Sequence, residues 1–379
     1  MKKVVIAQHR LLHYRTEFFQ RLRDQCGRFE IELHLLHGQP TRREVVKKDS
    51  SQLPWADEVT NHYLEFGSRD ILWQPIPSHL RDADLMIFMQ ENRLISNYPR
   101  IFGWTGGSTR KAFWGHGRNF QAETRFSIRE RWKRSYIGSV DWWFAYTSLT
   151  RDILLADKYP DSRITVLNNA IDNEGFTKDL SSVDANHLLE LRQALNIPED
   201  GVLGLFCGSL YPDKRLDLLV SACDIIHSRR PGFRLVIIGE GPSGIELKCA
   251  ASSRPWMKMV GAKRGQDKAA YFKLADVVLN PGLVGLHVLD AFCAGLPMLT
   301  TSDARHSPEI AYLRHGINGL VCPGTSIDYA NGVLDLLSDP SRLRSLMQSA
   351  FSDSKRYTLD NMISNFTDGI QRCLAAPRK

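Results

Sequence analysis

Leu203-Gly204-Leu205-Phe206-Cys207-Gly208-Ser209-Leu210-Tyr211-Pro212-Asp213-Lys214-Arg215 is an apolar run that ends at a glycine and opens into a polar loop. Behind the loop, Leu218, Leu219, Ala222, Ile225 and Ile226 recur at helical spacing. A run this short and this continuously apolar is a strand buried on both faces, and the stretch after it is a crossover helix. The same punctuation recurs in both directions. Downstream it predicts strands near 235–238, 258–260, 277–280, 298–300 and 320–322, and upstream near 4–8, 31–36, 85–89, 111–114, 142–146 and 164–167. Two sets of six strands alternating with helices predict an α/β protein of two Rossmann-like parallel-sheet domains.

Composition agrees with an ordinary globular chain. At 379 residues, with 43% hydrophobic and 24% charged side chains, it is neither disordered nor fibrous and should form two or three domains. We place a first domain over 1–175, a linker over 176–194 carrying Ser181-Ser182 and Pro198 just beyond it, a second domain over 195–355, and a final amphipathic helix over 356–379. Residues 1–175 hold 26 basic and 21 acidic side chains against 49 and 42 in the whole chain, so +5 of the net +7 sits there. That excess favours an anionic partner, either a membrane surface or phosphorylated substrates, and is too small for a dedicated nucleic-acid binder. Seven scattered cysteines without a Cys-x-x-Cys pair suit a reducing cytosol. No stretch reaches the ~20 apolar residues of a membrane span, so any membrane contact is peripheral, at the inner face.

Three motifs carry chemistry. Lys214 and Arg215, next to the small residues Gly208 and Ser209 at a strand's C-terminal end, stand where open α/β sheets bind ligands, and their charges suit a diphosphate. Gly239-Glu240-Gly241-Pro242-Ser243-Gly244 follows an apolar strand and has dinucleotide spacing. The acidic ribose ligand expected about 20 residues on is replaced by Lys263-Arg264. An NADP-dependent oxidoreductase therefore stays open as an alternative. The third motif runs from Asn280 through Gly282, Val284, Gly285, Leu286, His287 and Asp290 to Gly295-Leu296-Pro297. A strand ends, a loop passes a helix start suited to phosphate, and Asp290 follows one turn in, where a carboxylate can hold ribose hydroxyls.

In order and spacing these motifs resemble the nucleotide-binding domain of GT-B glycosyltransferases of retaining family 4. The resemblance covers about 200–325 and includes Ala275-Asp276, Glu309 and Gly316-Ile317-Asn318-Gly319. It implies a nucleoside diphosphate sugar as donor substrate, no cofactor and no metal, and transfer with retention to a hydroxyl of a glycan or lipid-linked acceptor in bacterial surface polysaccharide or glycolipid synthesis. A catalytically silent nucleotide-sugar binder is the other alternative. It assigns donor contacts to Gly208, Ser209, Lys214, Arg215, Gly239, Glu240, Gly241, Lys263, Gly282, Val284, Gly285, Leu286, His287 and Asp290. It also implies a C-terminal helix that crosses back to the first domain. Two departures stand out: Gly282 occupies the place of an acid that usually contacts the sugar, and Ser209 that of an arginine.

In the first half, Phe113-Trp114-Gly115-His116-Gly117 ends a strand in glycines around a histidine. The resemblance makes His116 the catalytic residue, beside the donor's reacting carbon. Arg118 and Asn119 are acceptor candidates, as are His13, Tyr14 and Arg15 in the loop after the first strand. The run 125–134, which mixes cations with Phe126, Ile128 and Trp132, suits either a solvated helix or an anionic bilayer.

Overall fold

The computed structural model describes residues 1–45, 49–67, 69–105, 107–117, 132 and 135–378. It divides into two compact units: Met1–Asp172 with Leu359–Lys379, and Asn173–Thr358.

The first unit holds a seven-stranded sheet. Its strands are β1 (Lys2–Arg10), β2 (Ile31–Gly38), β3 (Asp57–Val59), β6 (Leu85–Met89), β7 (Arg110–Gly115), β8 (Trp142–Ala145) and β9 (Ile164–Val166), all parallel, in the order β3-β2-β1-β6-β7-β8-β9. The six predicted strands are all present. The edge strand β3 was not predicted, because Asp57-Glu58-Val59 is short and polar. Nor was the antiparallel pair β4 (His62–Phe66) and β5 (Arg69–Trp73), which stands apart from the sheet.

The helix Leu359–Ala375 belongs to this unit and packs beside the helix Thr16–Gly27. Its periodic apolar face buries Leu359, Met362, Ile363, Phe366, Ile370 and Cys373. Phe366 stacks on Phe144 at 4.5 Å and meets Trp114 edge-on at 5.1 Å. Burying one such ring stabilises by about 1.5–3 kcal/mol, which is why the chain's last segment is tied down. Gly369 lies so close to Phe144 that a Cβ there would be 2.6 Å from the ring.

The second unit holds β10 (Val202–Cys207), β11 (Phe233–Ile238), β12 (Met257–Met259), β13 (Val277–Leu279), β14 (Met298–Thr301) and β15 (Gly319–Cys322), all parallel, in the order β12-β11-β10-β13-β14-β15. Counted within the unit this is 3-2-1-4-5-6, the doubly wound arrangement whose switch point lies between β10 and β13. The stretch placed as a linker folds as the helices Asn173–Ser182 and Ala185–Ala194, which pack against the helix Gly265–Leu274. Phe176 meets Phe272 edge-on at 5.3 Å. The serines and charges there mark the outer side of packed helices, a composition that one sequence window does not separate from a linker.

Candidate functional site

In an open α/β sheet the crevice at the switch point, beyond the strands' C-terminal ends, is where ligands bind. In the second unit the loops at that point are 208–215, after β10, and 280–287, after β13. They are held together tightly. The Leu283 amide donates to the Asp213 carbonyl at 2.9 Å. A Cβ on Gly282 would come within 2.3 Å of the Asp213 oxygen and of the Lys214 carbonyl carbon. Gly282 is thus a point of backbone contact, and no side chain in the place of the family's acid would reach a ligand without moving the neighbouring loop.

Lys214 is buried, and its Nζ donates to the Leu283 carbonyl at 2.5 Å. Burial lowers its pKa to about 8. Arg215, in the left-handed conformation (φ 53°), points its guanidinium to Thr301 Oγ1 at 2.9 Å, Asp303 Oδ1 at 2.6 Å and the Gly324 carbonyl at 3.0 Å. The pair that reads as two equal phosphate ligands in sequence is therefore divided. Lys214 has no carboxylate among its described hydrogen-bond partners, whereas Arg215 ties the loop to the end of β14.

Around Lys214 the polar groups are arranged for an anion. Among the described residues, the Gly285 and Leu286 amides donate to no protein acceptor. The neighbouring Val284 amide is used: it donates to His306 Nδ1 at 3.2 Å, while His306 Nε2 lies 2.8 Å from the Thr301 carbonyl. These bonds require a neutral His306 with its proton on Nε2. Its pKa is accordingly lowered by burial, with Lys214 contributing. His287 opens the seven-residue helix His287–Cys293, and its Nε2 is buried without a hydrogen-bond partner among the described residues. Burial, then Lys214 and Lys268, hold its pKa well below the ordinary 6.5.

Asp290, on the same helix, is buried and pairs with Lys268 Nζ at 2.7 Å. Burial raises its pKa, and Lys268 opposes the rise. Lys268 also lies over the Phe176 ring at 4.5 Å. Neither Lys268 nor His306 was legible as part of the site, because both come from segments without motif character, and only folding brings them beside the loops. Glu309 is buried.

The Gly239–Gly244 loop is explained by backbone packing. Gly239 (φ 146°) and Gly241 (φ 158°) have conformations suited to glycine, and a Cβ at 239 would lie 1.9 Å from the Gly208 carbonyl oxygen. The Gly208 amide donates to Ile238, Leu210 to Glu240, and Ser243 back to Leu210. These glycines zip one loop to the next, which removes the ground for reading them as a pyrophosphate cradle of an NADP enzyme. Gly208 and Ser209 lie on the opposite side of this zipper. Glu240 is exposed, and Lys263 is half-buried two residues beyond Gly261, whose carbonyl accepts from Gly239.

In the first unit, His116 follows β7 and is half-buried, with its ring edge-on to Tyr146 at 4.3 Å. Gln90 Nε2 donates to the Gly117 carbonyl at 3.2 Å, and Gly117 has φ +76°. Gly115 leaves room for Gln90, whose Cβ would lie 2.7 Å from an added Cβ. The glycines around His116 thus shape a turn that supports the ring. Arg118, Asn119 and most of 125–134 lie outside the described residues.

His13 and Tyr14 are exposed, but Arg15 is not. Its guanidinium bonds Asn169 Oδ1 at 2.5 Å and lies over the Trp114 ring at 5.3 Å. Arg15 is packing beneath the loop, so its charge is unavailable on the open face where sequence placed it.

The switch point of this sheet, between β1 and β6, is occupied by a cluster of ions. His9 Nε2 is 3.3 Å from Glu44, and Nδ1 is 3.5 Å from Glu91. Arg93 bonds Glu44, Glu91 and Asp70 at 3.1, 2.8 and 2.8 Å. Burial opposes charge on His9, but the two carboxylates outweigh it and raise its pKa. Burial likewise opposes ionisation of Glu91, and His9 and Arg93 bring its pKa down to about 2. The His9 contribution to stability is complete below the ordinary 6.5 and is lost as pH rises through the raised value. That of Glu91 is complete above 4.5 and is lost as pH falls towards 2. We expect Glu91→Gln to cost about 1–3 kcal/mol at pH 6 and to reduce the fall of wild-type stability between pH 6 and 8. Urea melts across that range check this, and an unchanged pH profile would contradict it.

Residues 202–339 match the family described as "Glycosyl transferases group 1". The chain is 28% identical over 253 residues to a D-inositol 3-phosphate glycosyltransferase of Stackebrandtia nassauensis, which covers 60% of this chain and 53% of that one. It is 24% identical over 203 residues to an alpha-monoglucosyldiacylglycerol synthase of Acholeplasma laidlawii, covering 52% and 50%. The chain thus spans about half the length of the curated relatives it matches. Among solved structures, Anabaena Alr3699/HepE in complex with UDP superposes with a TM-score of 0.67 over 98% of this chain and 100% of that one, at 14% identity. Sucrose-phosphate synthase from Thermosynechococcus elongatus superposes with a TM-score of 0.69 over 100% of both chains, at 13% identity. Residues 202–339 thus resemble the group 1 glycosyltransferases, and the two parallel-sheet units have the GT-B fold of these solved structures.

Proposed function

We propose that the protein transfers a sugar from a nucleoside diphosphate sugar to a hydroxyl of a glycan or lipid-linked acceptor, with retention of configuration. The observation that carries this is the group of anion-seeking elements at the switch point of the second unit: Lys214 without a carboxylate, and the unused amides of Gly285 and Leu286. A diphosphate offers what each of them lacks. The UDP complex of the structurally similar Alr3699/HepE favours a uridine nucleotide, and the relative named for glucosyldiacylglycerol supports a lipid-linked acceptor.

In this reading Lys214 and the two amides neutralise the departing diphosphate, and no metal ion is needed for that task. The diphosphate oxygen leaves with the bonding electrons and takes the acceptor hydroxyl's proton. His116 steadies the positive charge that grows on the sugar. Asp290, held by Lys268, orients the ribose. No helix among the described residues is long and apolar enough to cross a membrane. Work at the inner face of a membrane would rest on peripheral contact, for which the cations of 125–134 remain the sequence-level candidate.

His116→Ala tests the assignment. Turnover with UDP-glucose should fall by at least a hundredfold while the Kd for UDP, measured by calorimetry, changes by less than threefold. Equal loss in both would make His116 a binding residue only. Failure of a panel of nucleotides and nucleotide sugars to raise Tm would remove the donor reading altogether.

A further inference from the structure

In the first unit the usual ligand crevice, between β1 and β6, is taken up by the His9, Glu44, Glu91 and Arg93 cluster. One strand over, a cleft of about 400 Å³ opens above the ends of β1, β2 and β3, lined by Arg10, His37, Gln39, Ser51, Gln52 and Glu58 among others. Its size is within the range of small-molecule sites.

The cleft is built from fixed walls. On one side, segment 49–51 is stitched to segment 11–13: the His13 amide donates to Asp49 at 2.8 Å, and the Ser51 amide donates to Leu11 at 3.0 Å. On the other side, His37 of β2 stands directly across from Glu58 of β3. Gln39 is fixed by reciprocal bonds with Asn61, both at 2.8 Å.

Its chemistry is polar, with its one cation already paired and one carboxylate, Glu58, in the wall. Arg10, 7% exposed, is neutralised by Asp49. His37 is 3% exposed, and burial lowers its pKa, so the ring is neutral. Gln52 Nε2 donates to Glu58 at 3.3 Å. Among the described residues the hydroxyls of Ser50 and Ser51 make no hydrogen bond. Leu11 and Pro40 add apolar surface. A paired cation leaves little attraction for an anion, whereas hydroxyls, amides and a neutral imidazole beside apolar faces match a ring that carries hydroxyl groups.

We propose that this cleft binds a neutral sugar ring of the acceptor, through hydrogen bonds with His37, Ser51 and Gln52 and through a sugar hydroxyl that donates to the Glu58 carboxylate. As an acceptor site it rests on the glycosyltransferase reading, but binding of a sugar there can be measured without turnover.

The experiment is saturation-transfer NMR on the full chain, with UDP present to saturate the donor site. The probes are the methyl glycosides of glucose, galactose, mannose and N-acetylglucosamine. At least one should receive saturation in the wild type. Ser51→Trp, which fills the cleft, and Gln52→Ala/Glu58→Ala, which removes its bonding groups, should each reduce that signal at least fivefold with the Kd for UDP within twofold. If Ser51→Trp does not fold, the double variant decides. No signal in the wild type, an equal signal in the variants, or displacement of the glycoside by 10 mM inorganic phosphate would overturn the proposal. UDP binding that persists in any of those cases would leave the donor reading intact, and loss of UDP binding in the wild type would sink the donor reading alone.

Discussion

Lys214→Ala should weaken UDP binding at pH 7.5 by about 10- to 150-fold, the equivalent of one hydrogen bond to a charged group, about 1.5–3 kcal/mol. The side chain is buried, its pKa is about 8, and its bond to the Leu283 carbonyl leaves its charge without a counterion among its described hydrogen-bond partners. The bound diphosphate would supply one and so would raise the lysine's pKa. Wild-type affinity should therefore be steady from pH 7 to 8 and should fall above pH 8, by at most tenfold per unit, as free Lys214 loses its proton. Lys214→Ala should abolish that slope. Arg215→Ala should behave differently. Because its guanidinium is held by Thr301, Asp303 and the Gly324 carbonyl, its loss should lower Tm more than it lowers affinity. Calorimetry with UDP across pH 7–9 distinguishes these outcomes, and an unchanged Kd or a persistent slope in Lys214→Ala would show that the diphosphate binds elsewhere.

The second large effect concerns Gly282. Gly282→Glu restores the acid usual at this place in the family, but its Cβ would meet the Asp213 oxygen and the Lys214 carbonyl carbon, both at 2.3 Å. Both contacts are backbone, so relief requires the 212–215 turn to move. We expect a cost of about 3 kcal/mol or more and a fall in Tm of roughly 6–12 °C. UDP affinity should fall with it, because the same displacement moves Lys214. Gly282→Ala should show most of the effect, since Cβ alone makes the collision. A Gly282→Glu protein with wild-type Tm and a changed sugar preference would show that the loop adapts and that the acid can reach the donor.

The twelve core strands were legible because each is a short apolar run bounded by glycine, proline or a polar loop. β3 was missed because an edge strand gains little from apolar side chains, and the Asp57-Glu58-Val59 run resembles a loop. The donor loops were legible for the same reason as their strands: Gly208 to Arg215 and Asn280 to Asp290 lie at strand ends, where sequence order alone indicates a ligand. What those residues do there was less legible. Adjacent cations look alike in one dimension, yet Lys214 is turned into the site and Arg215 towards Asp303. Arg15 reads as an exposed ligand and is stacked on Trp114.

Periodicity, glycine punctuation and motif order determined the fold class, the strands and the two loops, because hydrophobic burial depends on which residues recur and on little else. Only the tertiary structure decided which charges are free. Lys268 meets Asp290, Arg215 meets Asp303, Val284 meets His306, and His9 meets Glu44 and Glu91 across 22 to 88 residues of chain, and whether a cation awaits a ligand or already holds a carboxylate depends on distances of 2.6 to 3.5 Å that no spacing rule encodes.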